Sequence, residues 1–240
     1  MDIQANLKEV IAELPTNVRL VAVSKFHPAE AIEAAYSAGQ RIFGESKEQE
    51  LSGKHEQLPK DIEWHFIGHL QTNKVKYIAP YIAMIHAADS YKLLVEINKQ
   101  AAKHERTIPC LLEIHIAQEE SKYGFTFDSC REMLRTGEWK NLNNICIAGV
   151  MGMATNTEDE TEIANEFHSL KVFFDELKQE FFSDRPEFKE ISMGMSHDYP
   201  IAVKEGSTMV RVGSKIFGDK SNSCDFKLIA AVGPQQLNQT

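Results

Sequence analysis

Short apolar runs alternate with longer segments of helical period along most of the chain. Eight runs have the β-branched and aromatic content of buried strands. They lie at residues 18–24, 41–43, 64–67, 82–86, 110–116, 145–150, 190–193 and 208–212. The segments between them place apolar residues every three or four positions, as at Leu93, Ile97 and Ala101, which is typical of one helix face. The pattern predicts eight strand–helix units.

Consecutive strand–helix units predict a parallel sheet, either closed into a barrel or open and doubly wound. An open sheet of this kind carries a glycine-rich phosphate loop after its first strand. Residues 24–28 (Ser-Lys-Phe-His-Pro) form no such loop. The chain has 240 residues, close to the length of about 250 that is usual for the barrel. We therefore expect an α/β fold with a single TIM-type (β/α)8 barrel domain over residues 1–240, its core at about 18–220.

Composition and charge limit which binding partners and which cellular compartment we expect. The net charge of −9 predicts repulsion from nucleic acid and from anionic membranes. No apolar run approaches the ~20 residues that a membrane span needs, and the N-terminus does not resemble a signal peptide. Four cysteines form no C-x-x-C pair, and the histidines show no metal-binding spacing. We expect a cytoplasmic protein without a metal site.

In barrels of this kind the active site lies at the carboxyl ends of the strands. Lys25 ends the first predicted strand. It is either an ordinary solvated lysine or, where the site removes water from it, a neutral amine that attacks an aldehyde to form an imine. By itself the residue does not decide between these readings.

Small and hydroxyl-bearing residues follow the last two strands, where such barrels often bind phosphate. Ser196 lies in the segment 193–198, where the next helix is expected to begin, and Gly213 and Ser214 follow strand eight. Hydroxyls and free backbone amides of this kind form an anion site. The alternative for Ser196 is a helix N-cap without a ligand.

Arg211 alternates with Val210 and Val212 in the last strand, which directs its side chain into the barrel mouth. A buried arginine needs an acceptor. The sequence leaves two candidates open: a ligand group at the mouth, or an ion pair with a barrel carboxylate such as Glu113.

These pieces together closely resemble one family, the pyridoxal phosphate homeostasis proteins. That family is a barrel that binds pyridoxal 5′-phosphate (PLP) and is similar to the N-terminal domain of alanine racemase. The resemblance extends from about Val18 to Gly218. It rests on the segments 22–25 (Ala-Val-Ser-Lys), 43–45 (Phe-Gly-Glu), 65–74, 121–125, 193–198 and 206–218.

The resemblance implies roles for the candidate residues. Lys25 forms the Schiff base with PLP, Ser196, Gly213 and Ser214 hold the phosphate, and Arg211 faces the pyridine nitrogen. Lys122 matches a further family lysine that receives or relays the coenzyme.

Three positions depart from the family pattern. Ser46 replaces the usual Asn after Phe-Gly-Glu, which predicts a lost or water-mediated contact near the ring. Ser214 replaces a common Thr but keeps the hydroxyl. Lys215, where a small residue is common, is expected to add charge near the phosphate.

The resemblance implies a monomeric PLP carrier that buffers the coenzyme and delivers it to apo-enzymes, without substantial turnover. One alternative is a PLP-dependent enzyme such as an amino-acid racemase. Alanine racemase adds a second domain that supplies a catalytic tyrosine, and residues 219–240 are too few for one. Another alternative is a barrel that forms an imine with a sugar phosphate, as aldolases do.

Overall fold

The computed structural model describes residues 2–119 and 123–219. Within them, eight parallel strands follow one another around a closed barrel, and the last strand pairs with the first. The strands are β1 (Arg19–Val23), β2 (Ile42–Glu45), β3 (Glu63–Phe66), β4 (Met84–Ala88), β5 (Ile108–Ile114), β6 (Ile145–Gly152), β7 (Glu190–Ser192) and β8 (Met209–Val212). The predicted (β/α)8 architecture is confirmed.

Helices separate the strands and cover the outside of the barrel. They are α1 (Ile3–Glu13), α2 (Ala29–Ser37), α3 (Glu48–Gln57), α4 (Val75–Ile78), α5 (Tyr91–Lys103), α6 (Phe127–Arg135), α7 (Glu160–Phe181), α8 (Tyr199–Lys204) and α9 (Ser214–Phe217). Short 3-10 turns occupy Thr72–Lys74 and Glu138–Asn141. No helix in the part of the chain that the structure describes is long and apolar enough to span a membrane.

Strand alternation divides the buried residues into two layers, because successive side chains point to opposite faces. In β8, Val210 and Val212 belong to the large outer core between strands and helices, whereas Met209 belongs to a small cluster inside the barrel. Arg211 therefore points inward with Met209, as predicted. In β3, Trp64 and Phe66 pack in the outer core, so His65 also points into the barrel.

The largest differences from the predicted boundaries lie at the fourth and fifth strands. β4 begins and ends two residues later than predicted, and β5 begins and ends two residues earlier. The register between these strands shifts between Ile85 and Ala88. Hydrophobic periodicity shows where apolar residues lie. The ends of a strand depend on its pairing with the neighbouring strand, which the sequence of a single apolar run does not show.

Candidate functional site

One cavity of about 560 Å³ opens at the carboxyl ends of the strands. Its lining residues follow the ends of β1, β2, β3, β6, β7 and β8. All five residues predicted for the site contribute to its wall: Lys25, Ser196, Arg211, Gly213 and Ser214. A cavity of this volume falls in the range of about 300–1,000 Å³ that small-molecule sites occupy.

The side of the cavity formed by the loops after β7 and β8 presents the hydroxyls of Ser196 and Ser214 and the backbone of Gly213. The Gly213 N–H donates to the Ser196 hydroxyl oxygen at 3.0 Å, which joins the loops after β7 and β8. A Cβ at position 213 would lie 3.0 Å from the Val23 carbonyl oxygen, which favours glycine there. Without a side chain, the Gly213 backbone is open to close approach by a ligand. Ser196 is not the helix N-cap of the alternative hypothesis, because α8 begins at Tyr199 and Asp198 occupies the N-cap position. Its hydroxyl is therefore available to the cavity.

Two of the departures from the family pattern have different outcomes. Ser46 lines the cavity. Lys215, which was expected to add charge near the phosphate, is not part of the cavity wall. The Lys215 ammonium donates to the Tyr199 hydroxyl at 3.0 Å and lies 3.8 Å from the Glu13 carboxylate. The carboxylate of α1 and the phenol of α8 attract it away from the mouth.

Arg211 is buried at the inner wall and donates to two neutral oxygens. Its Nη1 lies 2.6 Å from the Ser192 hydroxyl and its Nη2 lies 3.0 Å from the Gly152 carbonyl. No ion pair joins it to Glu113 among the residues that the structure describes, so that alternative is wrong. Burial lowers the pKa of Arg211 to about 10, and the charges of Asp198 and Glu113 oppose that shift. The guanidinium therefore stays charged at neutral pH.

A chain of hydrogen bonds continues from Arg211 into the barrel. The Ser192 hydroxyl lies 2.8 Å from His86 Nδ1, and His86 Nε2 lies 2.8 Å from His65 Nδ1. Since arginine only donates, the Ser192 oxygen accepts from Arg211.

Both histidines of this chain are neutral. Burial lowers the pKa of His65 to about 3, and burial with nearby charge lowers the pKa of His86 well below its usual value. His65 is a buried, hydrogen-bonded strand residue. Ser192 and His86 lay inside predicted strands without any assigned role. No pattern in the sequence marks them, because their contacts join distant strands. His65 and His86 are 21 residues apart in the chain, and His86 and Ser192 are 106 residues apart.

Lys25 lies in the turn between β1 and α2, and side chains hold the backbone on both of its flanks. The Lys54 ammonium donates to the Ser24 carbonyl at 2.8 Å, and the Phe26 N–H donates to the Glu50 carboxylate at 2.5 Å. Lys54 and Glu50 come from α3 and were not predicted. Their spacing of four residues is a weak signal that many surface helices share.

Two further predictions concern groups around the mouth. Lys122 lies outside the residues that the structure describes. Glu113 is buried inside the barrel, and its Oε2 has no hydrogen-bond partner among the described residues. Burial raises the pKa of Glu113 to about 7; Asp89 adds to the rise and Arg211 opposes it.

Known proteins match this chain over nearly all of its length. Residues 1–221 match the family described as alanine racemase, N-terminal domain. A pyridoxal phosphate homeostasis protein of Haemophilus influenzae is 35% identical over 93% of this chain and 98% of its own. The Aquifex aeolicus protein of that name is 36% identical over 84% of this chain and 87% of its own. The chain belongs to the pyridoxal phosphate homeostasis protein family.

Solved structures agree with this family membership. PipY of Synechococcus elongatus, solved with PLP bound, is 34% identical, with a TM-score of 0.82 over 90% of this chain and 100% of its own. The alanine racemase of Clostridium difficile is 15% identical, with a TM-score of 0.71, and this chain covers 56% of it. The racemase shares the barrel fold. The family that the sequence motifs predicted is confirmed.

Proposed function

We propose that this chain binds PLP in the mouth cavity, carries it as a Schiff base on Lys25, and buffers or delivers it within the cell. The observation that carries the proposal is the convergence of all five predicted residues on one cavity wall. Relatives named as PLP homeostasis proteins, and a PLP-bound relative at 34% identity, support it.

The side of the cavity formed by the loops after β7 and β8 fits the phosphate group. Ser196 and Ser214 offer hydroxyls, and the bare backbone at Gly213 permits a close approach. The first amides of a helix have no intrahelical acceptor, so the start of α9 at Ser214 has N–H groups to donate. Hydrogen bonds to a charged group are about twice as strong as neutral ones. These residues therefore hold an anion without a resident cation.

Arg211 fits the ring end of the ligand. PLP supplies an electrophilic aldehyde and an electron-withdrawing ring when it is bound. Arg211 has N–H groups beyond the two used by Ser192 and Gly152, and it donates to a ring nitrogen but cannot protonate it at neutral pH. An unprotonated ring withdraws electrons weakly, so this arrangement favours carrying over carbanion chemistry.

Lys25 supplies the covalent link. Its amine lies at the cavity wall, where it would condense with the aldehyde of bound PLP, with loss of water. The link is reversible by hydrolysis, which suits a protein that stores a reactive aldehyde and gives it up.

The proposal extends to the setting of the protein. One PLP-binding domain spans residues 1–240 with its core at about 18–220. It acts as a cytoplasmic monomer, and PLP-dependent apo-enzymes receive the coenzyme. Cysteines without C-x-x-C pairs and a net charge of −9 are consistent with this setting.

A visible absorption spectrum tests the proposal. Purified protein incubated with PLP is expected to show an imine band that borohydride removes by reducing C=N to a secondary amine. Lys25→Ala is expected to lack the reducible band while keeping the parental circular dichroism. A parent protein that binds no PLP, or a variant with the full band, contradicts the proposal.

A further inference from the structure

The cluster behind Lys25 consists of Lys54, Glu45 and Glu50, here called the Lys54 cluster. The Lys54 ammonium donates to Glu45 Oε1 at 2.7 Å and to Glu50 Oε1 at 2.6 Å, in addition to the Ser24 carbonyl. These contacts use all three of its hydrogens. The Ser24 hydroxyl also donates to Glu45 Oε1, at 2.6 Å. The backbone carbonyl and the side-chain hydroxyl of Ser24 therefore both bond to this cluster.

The Lys54 cluster lies on the outer side of the barrel rim, whereas Lys25 lines the cavity. Glu45 follows Gly44, whose added Cβ would meet the inward-facing Val21, so Glu45 points outward toward α3. Ser24 is fully buried against the cluster, and the next residue, Lys25, faces the cavity. The cluster therefore fixes the backbone of the lysine-bearing turn without occupying the space of the ligand.

Phe26 shows that this turn is held in a costly conformation. Its φ is +69°, in the left-handed region that non-glycine residues rarely adopt. Such a residue costs about 1–3 kcal/mol and persists only where surrounding contacts impose it. One such contact is the hydrogen bond from the Phe26 N–H to Glu50. The strain and the cluster thus meet at the residue immediately after Lys25.

Stability alone does not explain a cluster of this kind. The side chain of Glu45 is fully buried and that of Lys54 is 8% exposed. Well-packed apolar residues in place of a buried ion pair are often as stable or more stable, because removing charges from water is costly. What the ionic groups provide here is a fixed position for the backbone flanking Lys25.

We propose that Lys54 is a positioning residue for Lys25 and acts with Glu45 and Glu50 through the backbone of Ser24 and Phe26. The inference rests on the proposed function, since it takes Lys25 as the residue that bonds to PLP. A reacting group that is misplaced by about 1 Å loses up to 100-fold in rate. Loss of the cluster therefore slows imine formation at Lys25.

Two substitution sets test this role. Lys54→Met is expected to slow imine formation with PLP roughly 10- to 100-fold. Glu50→Ala, at a partly exposed position that tolerates change, is expected to slow it in the same direction. Glu50→Gln keeps an oxygen acceptor for the Phe26 N–H and is expected to retain more of the rate than Glu50→Ala. Arg19→Met is the matched control, because it removes an ion pair with Glu190 at the other end of β1.

Rates are taken per folded molecule, with the folded fraction measured by circular dichroism. A second measurement needs no PLP: trace acylation of the ligand-free protein, with the yield at Lys25 compared with that at the exposed Lys8. The cluster variants are expected to change this ratio several-fold, and Arg19→Met is expected to leave it unchanged. Parental rates and parental acylation ratios in both Lys54→Met and Glu50→Ala overturn the positioning role, even if their stability falls. A parent protein that forms no imine overturns the proposed function instead, and the acylation ratio then still reports on the turn.

Discussion

The side of the cavity that we propose holds the phosphate (the phosphate side) and the side that bears Lys25 (the lysine side) are built from different kinds of groups. On the phosphate side, Ser196, Gly213 and Ser214 present hydroxyls and backbone amides from loops that directly follow β7 and β8. On the lysine side, Lys25 is supported by the buried charges of the Lys54 cluster. Hydroxyls and backbone amides line the first side, and an ionic cluster lies behind the second.

The difference follows from what each side has to do. An anion gains from convergent donors and needs no partner of fixed charge. An amine that attacks an aldehyde must be neutral, and a carboxylate in direct contact would favour its charged form. The Lys54 cluster reaches the lysine turn through Ser24 and Phe26, so its carboxylates act on the backbone. The carboxylates of the Lys54 cluster therefore contribute to the geometry of the turn from outside the cavity wall.

The largest expected effect concerns a buried carboxylate that lacks the ammonium partner found on the lysine side. Burial raises the pKa of both carboxyls, but the Lys54 ammonium at 2.7 Å opposes the rise at Glu45. The pKa of Glu113 rises from 4.5 to about 7. An acid with a raised folded-state pKa binds more protons in the folded state, so folding stability falls as pH rises from about 4.5 to about 7. The shift corresponds to up to about 3 kcal/mol.

Glu113→Gln removes this loss. Urea unfolding is expected to show that the variant gains stability relative to the parent at pH 8 but not at pH 4.5. Glu132→Gln, on the exposed face of α6, is the control and is expected to follow the parent. A parent and a Glu113→Gln variant with equal pH dependence would falsify the assignment.

On the phosphate side, Ser196→Ala is expected to weaken PLP binding roughly 10- to 150-fold, the equivalent of about 1.5–3 kcal/mol for a hydrogen bond to a charged group. Titration of the visible band measures the change. Pyridoxal, which lacks the phosphate, is expected to bind the parent weakly and to lose little on the substitution. Equal affinity of the parent for the two aldehydes excludes this wall as the phosphate site.

A double variant, Ser196→Ala with Lys54→Met, tests whether the two sides act independently. The substituted residues share no protein contact in the structure, so their effects on PLP binding are expected to add within about 0.5 kcal/mol. Affinities of the parent, both single variants and the double variant complete the cycle. A larger coupling shows that the lysine turn and the phosphate loops form one unit.

The smallest expected effect is on amino-acid chemistry. Holoprotein incubated with L- and D-amino acids in heavy water is expected to show negligible α-proton exchange, because the proposed contact with Arg211 would leave the ring nitrogen unprotonated. Proton NMR follows the exchange directly. Rates on the order of 1 s⁻¹ or faster favour a PLP-dependent enzyme over a carrier.

Much of the fold and the phosphate wall could be predicted because their signals are local. Strand runs and helical stripes each lie within one segment, and β-strand alternation was enough to direct Arg211 inward. Gly213 and Ser214 are neighbours in the chain and follow a strand end, so the barrel rule places them at the mouth. The motif resemblance added the role of each residue.

The support of the lysine side could not be predicted in the same way. Lys54 lies 30 residues from Ser24, and α3 has the polar composition of an ordinary surface helix. The position of Lys215 could not be predicted from its neighbour in sequence. Ser214 lines the cavity, but the Lys215 ammonium contacts Tyr199 and the Glu13 carboxylate of α1. The pairing of charged side chains across elements is a property of packing, which periodicity does not report.

The central claim is that Lys25 bears the coenzyme, and peptide mapping of the borohydride-reduced protein tests it most directly. After incubation with PLP, reduction and proteolysis, mass spectrometry is expected to find the phosphopyridoxyl group on the peptide that contains Lys25. Label spread over several exposed lysines, or concentrated on Lys74 or Lys122 with Lys25 unmodified, contradicts the account.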